Sequence, residues 1–179
     1  MKTFFFTSML IALPFFTACS QSGKEHVINT QTVRSLDLKR YLGKWYEIAR
    51  FDHPFERNMV GVTAEYSMRP DGKIRVLNSG YKGDLNGKFK TAEGKARQPD
   101  PKEPGKLEVA FFLWFYGDYN ILELDERNYA YVLIGSSSDK YLWILSRTPQ
   151  LPEETIKMLL DKATERGYDT SKLIWVKQK

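Results

Sequence analysis

Apolar and polar residues alternate with a period of two through most of this chain, from about residue 45 to residue 147. That period places successive side chains on opposite faces of a strand. Strands are expected over 45–51, 60–69, 74–81, 88–97, 107–116, 119–126, 129–135 and 141–147. Turn chemistry separates them. Pro70-Asp71-Gly72 and Leu85-Asn86-Gly87 are hairpin signals, and Ser136-Ser137-Ser138-Asp139 is a polar turn. The longer connections are 53–58 and the proline-rich stretch 98–105. Eight strands joined mostly by short turns make an antiparallel up-and-down meander. Such a meander can close on itself, remove its edges and enclose one small ligand.

The period changes at both ends of this array. Residues 36–43 read as a single helical turn that ends at Gly43, with Asp37 in its first turn and Lys39-Arg40 in its last. After the eighth strand, Pro152-Glu153-Glu154 opens a helix, with both carboxylates at the positive end of its dipole. Ile156, Leu159, Leu160 and Ala163 form its apolar stripe, and Arg166-Gly167 ends it. A short last strand follows at 173–176. The stretch Tyr141-Leu142-Trp143-Ile144-Leu145 is apolar on both faces, which a solvated wall would not be. The helix is therefore expected to pack outside this strand. The fold class is all-β: an eight-stranded antiparallel barrel with a C-terminal helix on its outer face.

The N-terminus follows a different logic. Lys2, an apolar run over 3–16 and the small residues Thr17-Ala18 have the layout of an export signal. The run is too short to span a bilayer, which needs about 20 apolar residues. Phe16-Thr17-Ala18-Cys19 resembles the lipobox of bacterial lipoproteins, with Phe16 where leucine is usual. Cys19 is the one cysteine of the chain, so no internal disulfide can form, and acylation would remove an otherwise exposed thiol. Residues 1–18 are read as a lipoprotein signal peptide, 19–32 as a lipidated N-terminus and polar tether, and 33–179 as the domain. Ser20 after the cysteine resembles an outer-membrane sorting signal, which implies a periplasm-facing protein held at the outer membrane by its lipid anchor.

Composition narrows the function. The 161 residues left after cleavage suit one domain with a real core. The net charge of +5 falls to +4 once Lys2 is removed, and acidic and basic residues are interspersed. Nothing in that pattern supports nucleic-acid binding. Aromatic residues make up 14% of the chain, which fits strands with bulky inward-facing side chains.

The order of the short motifs is similar to that of the lipocalin family, in particular its bacterial outer-membrane and apolipoprotein D-like branch. Gly43-Lys44-Trp45-Tyr46 matches the glycine–any–tryptophan motif at the first strand. Gly117-Asp118-Tyr119 stands where the family usually has threonine-aspartate-tyrosine, with Gly117 as a departure. Arg147 closes the eighth strand. The resemblance covers residues 36–176 and implies that Trp45 lies across a closed barrel end with Arg147 over its indole. It implies an architectural role for Asp118 and Tyr119. It also implies a ligand that is an elongated lipid, a fatty acid or a lysophospholipid, stored, scavenged or transported in the barrel. Some bacterial members form dimers, so a homodimer stays open here.

Candidate ligand contacts follow. His53, Phe55 and Arg57 lie in the first long loop, at the expected mouth. Phe55 is a cover for an acyl chain, and Arg57 a partner for a carboxylate or phosphate. Tyr66, Tyr81, Tyr116 and Tyr131 offer hydroxyls, and Phe111, Leu113 and Trp143 offer apolar wall. Residues 107–116 are so apolar that their outward face is a candidate partner or membrane surface. Lys82, Lys88 and Lys90 are candidates for attracting an anionic head group. Glu47 and Glu65 are candidate inward carboxylates. An enzyme is not expected: the two histidines are far apart in sequence, no nucleophile elbow occurs, and neither a metal nor a cofactor is implied. The alternative function is a barrel acting as an interaction or envelope-maintenance module, with its interior filled by side chains.

Overall fold

A computed structural model of the protein describes residues 27–179. The signal peptide and Cys19 lie outside the described residues. The sheet contains β1 (Gly43–Arg50), β2 (Met59–Met68), β3 (Ile74–Lys82), β4 (Phe89–Arg97), β5 (Lys106–Ala110), β6 (Gly117–Leu124), β7 (Tyr131–Gly135) and β8 (Leu142–Ser146). Each strand pairs antiparallel with the next. β1 pairs with both β2 and β8, so the eight strands close into a barrel. The short helix α1 (Leu38–Tyr41) precedes β1. Asp37 is its N-cap and accepts from the Lys39 and Arg40 amides.

β1 changes partners along its length. Gly43 to Tyr46 pair with β2, whereas Ala49 and Arg50 pair with β9 (Ile174–Trp175). The C-terminal segment fills the gap where β1 and β2 part. The Gly61 amide donates to the Lys177 carbonyl at 2.7 Å, and the Gln178 side-chain amide donates to the carbonyls of Glu47 (2.6 Å) and Val62 (3.0 Å). Backbone groups that the ladder leaves free are thus satisfied.

Helix α2 (Glu153–Glu165) carries Glu153 and Glu154 in its first turn and lies on the outer face of β1, β6, β7 and β8. Leu159 and Ala163 are fully buried there against Leu122, Leu133, Leu142 and Ile144. Burying Leu159 contributes about 1.5–3 kcal/mol. The stripe differs from expectation in one position: Met158 packs into this layer and Ile156 is only half-buried. The inner layer is separate. Trp45, Ala64, Tyr66, Val76, Ile134 and Leu145 face the barrel interior. The strand apolar on both faces is therefore shared: Leu142 and Ile144 look out under the helix, while Trp143 and Leu145 look in.

Three expectations change. The strand expected over 107–116 ends at Ala110; residues 111–116 form a loop in which Leu113 has φ 49° and Phe112 to Phe115 are exposed. Residues 29–32, read as tether, lie on the barrel together with Val33. The Asn29 amide donates to the Arg166 carbonyl at 2.8 Å, the Arg166 guanidinium returns a bond to the Gln31 carbonyl at 2.8 Å, and the Val33 amide donates to Ile121 at 2.9 Å. Polar composition hid these backbone pairings. The strand expected over 119–126 starts earlier, at Gly117, and this moves Asp118 to the mouth.

Candidate ligand cavity

β1 runs from the closed end of the barrel to the open end, so the 51–58, 83–88, 111–116 and 136–141 connections surround the mouth. The closed end is made by α1, Trp45 and Arg147. Trp45 is fully buried, and its indole N–H donates to the Tyr41 carbonyl at 2.9 Å. The Arg147 guanidinium lies 3.9 Å from the Trp45 ring centroid. Arg147 also donates to the carbonyls of Arg40 (2.7 Å), Lys44 (2.9 Å), Tyr41 (3.1 Å) and Tyr129 (3.3 Å). Gly43 permits this approach: it takes φ +92°, and a Cβ there would meet Arg147 Nη1 at 3.4 Å.

Asp118 and Tyr119 do not tie a turn to a strand. Asp118 is exposed at the mouth, and Tyr119 points into the barrel. That tie is made at the closed end by Asp125 and Tyr129. Asp125 accepts from the amides of Arg127 and Asn128, both at 3.2 Å. The Tyr129 hydroxyl accepts from the Asp37 amide at 2.8 Å, and Arg40 stacks 4.2 Å over its ring. The signal was an aspartate four residues before a tyrosine, between two strands.

Above the closed end is a cavity of about 530 Å³. Its floor is a tyrosine cluster: the Tyr119 hydroxyl lies 2.6 Å from that of Tyr41 and 2.8 Å from that of Tyr66. Burial raises the pKa of all three phenols, so they stay protonated and the cluster is a neutral floor. Ala64, Val76, Val109, Ile134 and Leu145 supply apolar wall, and Asn78 adds a buried amide oxygen without a partner among the described residues.

Of the candidate contacts, the structure brings Phe55, Tyr66, Phe111, Tyr116 and Trp143 to this cavity. It does not bring the other five. His53 is buried in the wall behind Phe55, which stacks on it at 3.9 Å. Arg57 points to solvent and pairs with Asp52 at 2.7 Å. Tyr81 packs against Phe89. Leu113 is exposed, and Tyr131 lies in the outer layer under α2. Lys82, Lys88 and Lys90 are exposed and do not line the cavity, and Glu65 is exposed.

Glu47 faces inward as expected of it, but sequence reasoning missed the polar cluster it belongs to in the upper wall. Arg50, fully buried, donates to Glu47 Oε1 at 2.6 Å and to the carbonyl of Glu56 at 2.7 Å. Glu56 Oε2 accepts from the Trp143 indole at 3.3 Å and lies 3.0 Å from His53 Nε2, poorly aligned for a hydrogen bond. Burial, reinforced by the negative Glu56, raises the Glu47 pKa well above its ordinary value, against the pull of Arg50. Glu47, Glu56 and Asp118 line the cavity, and among the described residues no lysine or arginine does.

A closed barrel with a hollow, largely apolar interior and one polar mouth defines a carrier of small apolar ligands. The comparisons agree. A family model described as lipocalin-like domain matches residues 36–178. An outer membrane lipoprotein Blc of Vibrio cholerae is 46% identical over 150 residues, covering 84% of this chain and 87% of that protein. The Blc of Escherichia coli K12 is 49% identical over 146 residues, covering 82% and 81%. Mouse apolipoprotein D is 39% identical over 145 residues, covering 78% and 75%. Among solved structures, insecticyanin from the tobacco hornworm Manduca sexta superposes with a TM-score of 0.69 at 24% identity, covering 86% of each chain, and shows the shared fold. This chain belongs to the lipocalin family. It is a lipid-binding, non-catalytic barrel of the bacterial outer membrane, lipid-anchored and facing the periplasm.

Proposed function

We propose that the chain binds a single-chain lipid, a fatty acid or a lysophospholipid, with the acyl tail in the barrel and the head group at the mouth. The observation that carries this is the 530 Å³ cavity, largely apolar with carboxyl groups in its upper part, a size ordinary for a ligand of this class. Each buried methylene contributes about 0.8 kcal/mol, so ten give about 8 kcal/mol before the costs of association. Glu47 is engaged by Arg50, but the carboxyl groups of Glu56 and Asp118, with no lysine or arginine in the lining among the described residues, favour a head group that carries an ammonium or other donors. That favours a lysophospholipid with an amine head group over a free fatty acid. A pure scaffold would need a filled interior, and the hollow counts against it.

Cys19 is the proposed anchor, diacylated after cleavage of residues 1–18, and the cargo is handled at the periplasmic face of the outer membrane. Mass spectrometry of lipids extracted from natively purified protein tests the cargo. Lysophospholipids should be recovered, and an intact barrel from which no single-chain lipid is recovered or can be titrated overturns the reading. Cys19→Ser tests the anchor and should move the protein out of the membrane fraction.

A further inference from the structure

The most apolar exposed surface is not in the cavity but on its rim. In the β5–β6 loop, Phe112, Trp114 and Phe115 are 67%, 71% and 67% exposed, with Leu113 between them. The loop is shaped rather than extended: the Phe115 amide donates to the Phe112 carbonyl at 3.2 Å, Leu113 holds φ 49°, and the Trp114 and Phe115 rings stack at 6.2 Å. Four consecutive large apolar side chains held out at one place make a surface to be covered.

Both ends of the loop belong to the cavity, since Phe111 and Tyr116 line it. The strand ladder of the barrel is also short here. β5 pairs only with Lys95 to Arg97 of β4, so the earlier part of β4 has no strand on that side, and Phe111 to Leu113 lie beside it at Glu93 to Lys95. The flank is basic. Lys88, Lys90 and Lys95 make no ion pair among the described residues, whereas the neighbouring Glu93 is held by Arg75 at 2.7 Å.

The chain before the barrel limits where this surface can go. Asn29 is fixed on the barrel through Arg166 and stands ten residue steps after Cys19. Fully extended they reach at most about 35 Å. The ten residues of β2 span about 33 Å, so the tether is about as long as the barrel wall. A barrel held so close to a bilayer has its mouth within reach of the head groups.

We infer that the Phe112–Phe115 loop docks the open mouth onto the anionic bilayer surface, so that a lipid passes between membrane and cavity along Phe111 and Tyr116. Phenylalanine and tryptophan enter the interfacial layer, and Lys88, Lys90 and Lys95 meet the lipid phosphates. The orientation rests on the proposed anchor at Cys19; the docking loop itself is independent of which lipid fills the barrel.

The test uses protein purified from membranes and reconstituted into vesicles of phosphatidylethanolamine and phosphatidylglycerol that contain a brominated lipid. Trp114 emission, taken as the difference between the parent and Trp114→Phe, should be strongly quenched. Lipid uptake from the vesicles should be lost in the Phe112→Ser, Trp114→Ser, Phe115→Ser triple variant. Titration with a soluble fluorescent lysophospholipid, without vesicles, should be the same in the parent and the triple variant; that arm reports the cavity alone. If the cavity titrates but Trp114 is unquenched, or if the variant takes up vesicle lipid at the parent's rate, the docking surface is wrong while the cavity reading stands. A parent dimer that the same three substitutions dissolve assigns the loop to a second copy and equally overturns it.

Discussion

The two ends of the barrel are built on opposite rules. At the closed end, Trp45 is fully buried, its indole N–H is bonded, and Arg147 spends its donors on four backbone carbonyls while covering the ring. At the open end, aromatic rings stand in solvent, and Arg50, Glu47, Glu56 and His53 form a buried cluster in which Arg50 Nε and His53 Nδ1 have no partner among the described residues. Satisfied polar groups and filled volume stabilise one end. Unsatisfied groups and exposed rings leave the other available to a ligand. Substitutions should therefore separate: closed-end changes should act on stability, and mouth changes on binding.

The largest effect should come from Trp45→Ala. It removes the widest buried side chain of the closed end and should cost about 3–5 kcal/mol. In a domain of this size that lowers the melting temperature by about 10 °C. Thermal unfolding measures it, and the protein that remains folded should bind its lipid with unchanged stoichiometry. A loss of binding without a loss of stability would erase the contrast between the ends.

Arg147→Ala comes next, at about 2–3 kcal/mol, because hydrogen bonds from a charged donor are lost and carbonyls are left without partners. Arg147→Lys should recover little, since an ammonium cannot reach the same carbonyls and cover the indole at once. An Arg147→Lys melting temperature equal to that of the parent would show that charge alone is what the site needs.

The contrast also explains what could be read from the chain. Alternation exposed the eight strands because each has one face toward the interior, and the greasy 141–145 stretch gave away the outer helix because no solvated wall is apolar on both sides. The same logic failed at 107–116. An apolar run reports that water is avoided, not whether a protein core or another surface does the covering, so Phe112 to Phe115 were read as strand. Asp118 was misplaced because a three-residue motif has no address until strand ends are known, whereas Asp125 and Tyr129 occupy the turn. The Arg50 cluster was hidden for another reason. Its members are polar residues spread over a strand and a loop, and burial is set by the way β1 bends over at its register shift between Glu47 and Ala49.

Glu47 lies between the two regimes and should give a pH-dependent signature. Burial raises its pKa from an ordinary value of 4.5, so the folded state holds this proton more tightly than the unfolded chain. Stability from this group is therefore fully present below about pH 4.5 and declines as the pH rises toward its folded pKa. Glu47→Gln keeps an acceptor for Arg50 but does not titrate, so its melting temperature should vary less with pH from 4.5 upward. Parallel curves for parent and variant would mean that Arg50 keeps Glu47 ionised throughout.

The smallest effect on stability should come from Phe55→Ala, and it is the sharpest test of the contrast. Phe55 is 63% exposed, yet it lines the cavity and stacks on the buried His53. Truncating an exposed ring changes stability by about 0.5 kcal/mol or less. The same ring is the part of the β1–β2 loop that a bound acyl chain would meet on its way out. Its loss should therefore raise the rate of lipid release and weaken binding several-fold, measured by displacement of a fluorescent lysophospholipid, at an unchanged melting temperature. If instead the melting temperature falls as it does for Arg147→Ala, the Phe55–His53 stack is a structural element of the wall, and the division between a stabilising end and a binding end fails at its rim.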